Sequence, residues 1–287
     1  MRVAIVIPAY NEARTIHGIA QRALRQCSDV IVVDDGSTDC TAAALDDLPV
    51  ILLQHGTNQG KGAALWDGFV KALALGADAV VSIDGDGQHQ PEDVARLVRA
   101  AAVHPHRLVI AARLCGRECS PRARYIANRV ADFWVSWAAG HAVADSQSGQ
   151  RLYPAALLAQ VSLCHDDKAR FAFESDILIR AARLGYPSVA IPIAAIYDAA
   201  ARPSHFRPVR DIGRIVRTVA GHILAAGFNL PGLWRSLRTR PIVVDSIEAE
   251  DSLKCAGPAL RRAGERGGAA SFVDNATGFP SSRERRG

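Results

Sequence analysis

The sequence predicts an α/β protein in which helices cover both faces of a mostly parallel β-sheet. Two observations lead to this fold class. Short apolar runs alternate five times with segments of helical spacing over residues 3–112, the pattern of a parallel sheet buried between helices. Polar clusters follow three of the predicted strands, at residues 8–12, 34–39 and 84–89. Because ligands bind beyond the carboxyl ends of such strands, the clusters predict one shared site.

The individual elements follow from their apolar patterns. The predicted strands are short apolar runs at residues 3–7, 30–33, 50–53, 79–83 and 108–112. The predicted helices carry apolar residues three or four positions apart and span residues 13–24, 41–48, 63–75 and 92–102. Further along the chain, Trp134 and Trp137 lie in another apolar helical pattern and are interpreted as core residues rather than a platform for a sugar.

Composition excludes several classes of protein. The 287 residues can form one large domain or two small ones with a sizeable core. The net charge of +5 is modest, and no nucleic-acid partner is expected. Six scattered cysteines predict neither a disulfide framework nor a structural zinc site. No apolar run approaches the ~18 residues that span a bilayer. The chain enters a strand pattern at Val3 without a basic, cleavable leader, so a cytoplasmic location is expected.

The polar segment after the fourth predicted strand has the composition of a metal site. Asp84, Asp86 and Gln88 occupy alternate positions, and residues two apart in an extended backbone point to the same side. Their oxygen atoms can converge on a hard cation, so Mg²⁺ or Mn²⁺ is the expected cofactor. A polar strand-to-helix turn is the competing interpretation, because Asp and Gly are also common turn residues.

Two further segments suit a nucleotide diphosphate. Asp34 and Asp35 follow the second predicted strand and can accept hydrogen bonds from a ribose or a base, although such a pair is also a common helix cap. Lys61 lies between two glycines at a helix start, where a cation and approachable backbone amides can hold phosphate. The segment is not a Walker loop, since no Ser or Thr follows Lys61. Together with the metal segment, these residues predict a site for a nucleotide diphosphate and its metal.

Four motifs in this order resemble family 2 glycosyltransferases, whose GT-A fold is a Rossmann-like α/β architecture. They read V-I-P-A-Y-N-E at residues 6–12, V-D-D-G-S-T-D at 33–39, N-Q-G-K-G at 58–62 and D-G-D-G-Q-H at 84–89. The resemblance implies that the nucleoside of a nucleotide-diphosphate sugar is contacted by Pro8, Tyr10, Glu12 and Asp35. It also implies that Asp84 and Asp86 address the metal and the diphosphate, with Asp86 among the catalytic residues.

The second half of the chain narrows the resemblance. D-S-Q-S-G-Q-R-L-Y at residues 145–153 resembles the acceptor loop of the dolichyl-phosphate mannosyltransferase branch and related polyprenyl-phosphate enzymes. The branch implies Gln88 as a metal ligand, and it implies acceptor contacts from Arg113, Arg129, Asp145, Gln147 and Ser148. Gln150 departs from the branch, which usually has an aromatic residue there. The acceptor therefore stays open between a polyprenyl phosphate and another lipid-linked molecule.

Glu174 and Asp176 are the candidate base or acceptor-contacting carboxylates, because enzymes with the GT-A fold place such a group in this region. Both open a helix predicted to run to about Leu184. The competing interpretation is favourable helix charge, since a carboxylate stabilises this end of a helix by ~0.3–1 kcal/mol. His89 is interpreted either as a contact to acceptor or phosphate or as a surface histidine.

Residues 202–217 are rich in arginine. Arg202 and Arg207 are candidate contacts for an acceptor phosphate. A helix from about Val209 carries a basic stripe beside an apolar one, which is typical of a helix on an anionic membrane surface; the alternative is a helix packed on its own domain. The basic stripe consists of Arg210, Arg214 and Arg217.

The predicted organisation has three parts. A GT-A domain at residues 1–208 divides into a nucleotide-sugar half at 1–115 and an acceptor half at 116–208. An amphipathic, membrane-surface helical segment follows at 209–244. Gly, Ser, Pro and mixed charges dominate residues 245–287, which predicts a disordered tail.

The predicted function is a metal-dependent, inverting glycosyltransferase at the cytoplasmic face of a membrane. Its donor is a nucleotide-diphosphate sugar, and its acceptor is a polyprenyl phosphate or another lipid-linked molecule. A sugar nucleotidyltransferase is an alternative, although residues 8–12 replace the glycine-rich basic loop that such enzymes commonly carry. A non-catalytic membrane-associated subunit is a second alternative, against which the intact Lys61, Asp84, Asp86 and Gln88 count.

Overall fold

A seven-stranded sheet forms the centre of the computed structural model, which describes residues 1–115, 122–161, 173–194 and 208–244. The strands are β1 (Val3–Ala9), β2 (Asp29–Asp34), β3 (Ile51–Gln54), β4 (Ala79–Ser82), β5 (Leu108–Cys115), β6 (Arg151–Pro154) and β7 (Ser188–Ala194). They lie in the order β3-β2-β1-β4-β6-β5-β7. The five strands predicted in the first half are therefore present, with bounds that shift by a few residues.

The sheet is mostly parallel, as predicted. Strand β1 pairs in parallel with β2 and β4, β2 with β3, and β5 with β7. Strand β6 is antiparallel to both of its neighbours, β4 and β5. This strand lies within the segment that was interpreted as an acceptor loop, so the loop ends by entering the sheet beside the strand that precedes Asp84.

Eight α-helices surround the sheet in the described part of the chain. They are α1 (Ile16–Leu24), α2 (Lys61–Ala74), α3 (Val94–Val103), α4 (Arg122–Ala139), α5 (Ala155–Gln160), α6 (Phe173–Arg183), α7 (Pro208–Ala225) and α8 (Leu230–Arg238). The segment predicted as a helix at residues 41–48 contains a short 3₁₀ turn at Ala43–Leu45 instead.

Two apolar cores lie on opposite faces of the sheet, because successive side chains of a strand point to opposite sides. Ile5 and Ile7 of β1 belong to one core, with residues of α1 and α3. Ala4 and Val6 of the same strand belong to the other core, with residues of α2, α4 and α6. The prediction that helices cover both faces is confirmed.

Helix α7 packs its apolar side against the sheet domain. Val219 and Ile223 are only 3% and 5% exposed, and both belong to the core that includes α4 and α6. These contacts fit the alternative that α7 is an amphipathic helix packed on its own domain. Trp134 of α4 is 44% exposed, so the interpretation of Trp134 as a core residue was wrong, whereas Trp137 is half-buried.

Helix α8 is anchored through the corner that joins it to α7, the 3₁₀ turn Gly227–Asn229. The Asn229 side chain accepts a hydrogen bond from the Gly232 amide at 3.2 Å and donates to the Trp137 carbonyl at 3.0 Å. The Trp137 indole in turn donates to the Phe228 carbonyl at 2.9 Å. These bonds hold the start of α8 against the carboxyl end of α4.

All described residues belong to one compact unit, Met1–Ile247. Within them, no helix has both the length and the apolar character needed to cross a bilayer. The predicted tail from residue 245 lies outside the described residues, as do Arg202 and Arg207.

Candidate active site

The three polar clusters meet at the carboxyl ends of β1, β2 and β4. The Asp35 amide donates to the Ala9 carbonyl at 2.8 Å, and the Thr15 hydroxyl donates to the Gly85 carbonyl at 2.7 Å. A Cβ at Gly85 would lie 3.1 Å from the Pro8 carbonyl oxygen. Glycine therefore allows the loop that carries Asp84 and Asp86 to lie close against the end of β1.

A lysine and two carboxylates form the centre of the site. Lys61, the first residue of α2, places Nζ 2.6 Å from Asp84 Oδ1. The same Nζ lies 3.1 and 3.2 Å from the two carboxylate oxygens of Glu174, in the first turn of α6. The three side chains are 21%, 20% and 13% exposed respectively, so this ion-pair network is partly shielded from water.

The pKa shifts in this network follow from burial and charge. Burial alone would raise the pKa of the Asp84 carboxyl, but the Lys61 ammonium outweighs burial and holds this pKa well below its usual range. Burial would lower the pKa of Lys61, but Asp84 and Glu174 together raise it. Burial, and then the charge of Asp84, raise the pKa of Asp86. At neutral pH, Asp84 and Lys61 are both charged.

His89 approaches Asp84 from the side of the acceptor segment. The ring is 2% exposed, and Nε2 lies 3.2 Å from the Ser148 hydroxyl. Because that hydroxyl donates to the Ala111 carbonyl at 2.6 Å, it accepts from His89, which therefore carries its proton on Nε2. Nδ1 has no hydrogen-bond partner among the described residues and lies 3.8 Å from Asp84 Oδ2. Burial lowers the pKa of His89 to about 4, so the ring is neutral at neutral pH.

These residues fit a divalent metal ion. One ligand atom from each of Asp84, Asp86 and His89 falls within 4.8 Å of the others. The unpartnered Nδ1 of a neutral imidazole is the atom that would bind a metal. Gln88, the predicted third ligand, donates its side-chain N–H to Asp86 Oδ2 at 2.8 Å, and its ligand role stays a prediction. Sequence reasoning did not propose His89 as a ligand, and its spacing three residues after Asp86 was the only available indication.

The predicted acceptor segment is held by one largely buried ion pair and by hydrogen bonds from Arg151 to backbone carbonyls. Asp145 accepts two hydrogen bonds from the Arg113 guanidinium and one from the Arg113 amide, all at 2.8 Å. Arg151 is fully buried and donates to the carbonyls of Ser146, Ser148 and Glu174 at 2.7–2.8 Å. Arg151 therefore joins this segment to the start of α6.

Two further residues of the segment face inward. A Cβ at Gly149 would lie 2.1 Å from Asp84 Oδ2, so the Asp84 carboxylate rests directly on the Gly149 backbone. Gln150 is fully buried, and its side-chain N–H donates to the Gln90 carbonyl at 2.8 Å. This bond ties Gln150 to the segment that follows the metal loop, and the bearing of Gln150 on the acceptor stays a prediction.

The predicted nucleoside side of the site is also held by internal hydrogen bonds. The Asp35 carboxylate accepts from the amides of Gln59 and Gly60 at 2.8 and 2.7 Å and contacts His55 Nδ1 at 2.8 Å. The Asp34 carboxylate accepts from the Ser37 amide at 3.0 Å. Pro8 is buried at the end of β1, and Tyr10 and Glu12 are half-buried in the loop that follows. Their contacts with a nucleoside stay predictions.

The remaining predicted site residues lie apart from this centre or have other partners. Asp176 accepts from Arg180 at 2.7 Å and contacts His222 of α7 at 2.5 Å, and its catalytic role stays a prediction. These contacts outweigh the effect of burial and lower the pKa of Asp176. Arg129 is exposed on α4. Gln147 is half-buried and donates to the Ser146 hydroxyl at 3.2 Å.

Comparison with known proteins defines the class. The sequence model "Glycosyl transferase family 2" matches residues 4–143. The undecaprenyl-phosphate mannosyltransferase of Micrococcus luteus is 34% identical over 212 residues, which cover 68% of this chain and 84% of that protein. The polyprenol monophosphomannose synthase of Mycolicibacterium smegmatis is 30% identical over 202 residues, covering 67% of this chain and 76% of that protein.

A solved structure supports the fold. Glucosyl-3-phosphoglycerate synthase from Mycobacterium tuberculosis, in complex with Mn²⁺, uridine diphosphate and phosphoglyceric acid, has a TM-score of 0.55. Its sequence is 24% identical, and the match covers 78% of both chains. The predicted GT-A architecture is thereby confirmed.

The candidate site at the edge of the sheet is therefore that of a glycosyltransferase with a GT-A fold. The chain belongs to glycosyltransferase family 2 and is related to the polyprenyl-phosphate sugar transferases of that family. The prediction of an enzyme of this family is confirmed.

Proposed function

We propose that this protein is a metal-dependent, inverting glycosyltransferase that moves a sugar from a nucleotide-diphosphate donor to a polyprenyl phosphate or another lipid-linked acceptor. The observation that carries the proposal is the charge balance at the sheet edge. Among the described residues, Asp84, Asp86 and Glu174 bring three carboxylates against the ammonium of Lys61, while the nearby Arg113 guanidinium is balanced by Asp145. One divalent cation at Asp84, Asp86 and His89 would balance the remaining two charges.

Each residue has a separate role in transfer. Asp84 and Asp86 would hold the metal beside the diphosphate, and His89 would add a nitrogen ligand whose orientation Ser148 fixes. When bound, the metal supplies positive charge to the departing diphosphate. Lys61 would supply a second cation at the start of α2. A neutral imidazole favours Mn²⁺ over Mg²⁺, because Mg²⁺ prefers oxygen ligands.

The contacts of Glu174 favour an acceptor that is already ionised. A polyprenyl phosphate is largely deprotonated at neutral pH, since the second pKa of a phosphate monoester is about 6. Such an acceptor needs positioning more than proton removal. A hydroxyl acceptor would need a free carboxylate nearby, but Glu174 is engaged by Lys61 at 3.1 Å. The relatives from Micrococcus luteus and Mycolicibacterium smegmatis are named for undecaprenyl phosphate and polyprenol monophosphomannose, which supports a lipid-phosphate acceptor here.

Exposed apolar residues on two helices support a peripheral location at a membrane surface, for which the cytoplasmic face stays our expectation. Leu230, Trp234 and Leu237 recur on one side of α8 and are 64%, 57% and 65% exposed. α8 contains basic residues and no acidic ones, and the Arg238 guanidinium lies 4.6 Å from the centre of the Trp234 ring. The aromatic rings of Phe133 and Trp134 are also exposed, on α4. Tryptophan and arginine on one amphipathic helix suit an anionic lipid surface.

Incubation of the full chain with a panel of nucleotide-diphosphate sugars, Mn²⁺ or Mg²⁺, and a polyprenyl phosphate tests this function. We expect sugar transfer that a chelator abolishes, faster with Mn²⁺, and a product whose anomeric configuration, read by NMR, is inverted. No transfer to any lipid phosphate across the panel would overturn the proposal. Release of pyrophosphate from a nucleoside triphosphate and a sugar phosphate would identify a nucleotidyltransferase instead.

A further inference from the structure

We infer that Lys61 changes partners during donor binding: its ammonium neutralises Asp84 while the metal is absent and moves to the donor diphosphate when the metal takes Asp84. The inference rests on the proposed function, since it requires a metal and a diphosphate at this edge. Besides binding the donor diphosphate, Lys61 would therefore act as a counterion of Asp84 that a divalent cation must displace.

The geometry of Asp84 makes Lys61 and a metal ion compete for one carboxylate. Lys61 Nζ lies 2.6 Å from Asp84 Oδ1, while Oδ2 faces His89 Nδ1 at 3.8 Å. The Asp84 carboxylate rests on the Gly149 backbone, so it has little room to turn toward a new partner. A metal ion that binds Asp84 therefore meets the Lys61 ammonium at the same carboxylate, and two cations sharing one carboxylate repel each other.

The Lys61 ammonium can move without disturbing the fold. The ammonium is carried on a flexible four-carbon stem, so it can leave Asp84 and keep its contact with Glu174, which also lies at the edge of the site. Lys61 is the first residue of α2. The first turn of this helix carries no acidic residue, and its N-cap is Gly60, which has no side chain to cap the backbone amides. A diphosphate near this helix end would be attracted by both the backbone amides and the ammonium.

The test is a titration of the full-length protein with Mn²⁺ alone, followed by calorimetry, in wild type and Lys61→Met. If Lys61 competes with the metal, its removal should tighten Mn²⁺ binding by about tenfold or more, because a nearby positive charge is lost from a shielded site. Lys71→Met is the matched control: it removes the same charge from the same helix, ten residues further along. Its effect should stay within about twofold, since the distance and solvent screen it.

A second set of titrations measures whether Lys61 binds the diphosphate once the metal is present. UDP and GDP serve as probes, each in the presence of saturating Mn²⁺. Lys61→Met should bind the better of the two about tenfold or more weakly than wild type, because one cation–phosphate contact is lost. Lys61→Arg keeps the charge and should retain the weaker Mn²⁺ affinity of wild type. Lys61→Gln provides the same test should Lys61→Met fail to fold, as judged by circular dichroism.

The outcomes separate the two proposals. Unchanged or weaker Mn²⁺ binding by Lys61→Met would overturn the exchange, as would tighter Mn²⁺ binding together with unchanged nucleotide affinity. If wild type binds Mn²⁺ neither alone nor with UDP or GDP, the metal-dependent function itself fails, and the exchange fails with it.

Discussion

The carboxyl edge of the sheet buries polar residues, whereas the outer surface of α4 and α8 exposes apolar ones. At the edge, Asp35, His89, Asp145 and Arg151 are buried although they are polar or charged. On the helices, Trp134, Leu230 and Trp234 are exposed although they are apolar. Natural chains retain such exceptions mainly where a ligand or a partner uses them.

The difference lies in what completes each region. At the edge, most of the buried groups satisfy one another, as in the contacts of Arg113 with Asp145 and of Arg151 with three carbonyls. One exception is His89 Nδ1, an atom that a metal ion at Asp84 and Asp86 would use. Within the part of the chain that the structure describes, Trp134, Leu230 and Trp234 on the helical surface stay exposed. The edge should therefore be sensitive to single substitutions, and the helical surface should tolerate them in the isolated protein.

The largest effect is expected at the metal site. Asp86→Ala should reduce sugar transfer by about 10³-fold, because the charge that offsets the departing diphosphate is lost with the metal. Transfer rates and Mn²⁺ titrations of the variant measure this effect. Asp47→Ala, an exposed carboxylate with a side chain 71% exposed, is the matched control and should behave as wild type. Wild-type transfer by Asp86→Ala would remove Asp86 from the catalytic machinery.

The buried ion pair beneath the acceptor segment should dominate stability. Asp145→Asn should lower the free energy of unfolding by about 3 kcal/mol, since it removes the buried carboxylate that pairs with the Arg113 guanidinium at 2.8 Å. Chemical denaturation monitored by circular dichroism measures the loss. A variant as stable as wild type would show that the pair contributes little.

The same ion pair predicts an acid dependence. Burial opposes ionisation of Asp145, but the Arg113 guanidinium outweighs it and lowers the pKa of this carboxyl. The contribution to stability is therefore complete above about pH 4, the ordinary value for Asp, and is lost as the pH falls through the lower pKa of the folded state. As the pH falls through that range, the free energy of unfolding should decrease more for wild type than for Asp145→Asn. The same decrease in both proteins would contradict the assignment.

The contact between Gly149 and Asp84 should affect catalysis more than folding. Gly149→Ala places a methyl group where the Asp84 carboxylate now lies, 2.1 Å from Oδ2. The carboxylate must move, and transfer should fall by about 10²-fold, as expected when a positioned group is displaced by about 1 Å. Gly18→Ala on α1 is the control, because nothing lies within 4 Å of its added Cβ. Equal transfer rates for the two variants would show that Asp84 has no fixed position.

The smallest effect on the isolated protein is expected on the helical surface. Trp234→Ser should change the free energy of unfolding by no more than about 0.5 kcal/mol, because the ring is already exposed. Its binding to vesicles that contain anionic lipid should fall by about tenfold, since burial of an aromatic ring contributes on the order of 1.5–3 kcal/mol. Val103→Ser, on the distant α3 with a side chain 70% exposed, should leave vesicle binding unchanged. Equal vesicle binding by the two variants would argue against a membrane role for α8.

The sequence was sufficient for the first half of the fold because each strand there is a continuous apolar run. Strand β6 was not predictable from the local sequence, because its four residues include Arg151 and show no apolar alternation. Its position depends on β4, whose residues lie about seventy positions earlier in the chain, and no local pattern contains that information.

The candidate site was predictable in part for similar reasons. Sequence motifs contain Asp84, Asp86 and Lys61, so these residues could be predicted. The burial of His89 and Arg151 depends on long-range packing and could not. Glu174 and Asp176 illustrate the limit most clearly. They lie two residues apart at the start of one helix and look equivalent in sequence. In the fold, Glu174 contacts Lys61, whereas Asp176 contacts Arg180 and His222.

The most direct measurement is a crystal structure of the wild-type protein with Mn²⁺ and a nucleoside diphosphate, recorded at the manganese absorption edge. We expect one anomalous peak within bonding distance of Asp84, Asp86 and His89, with the diphosphate on its other side and the Lys61 ammonium on a phosphate oxygen. A structure with nucleotide bound but no manganese at these side chains, and with Lys61 still paired to Asp84, would contradict the central role of this metal site.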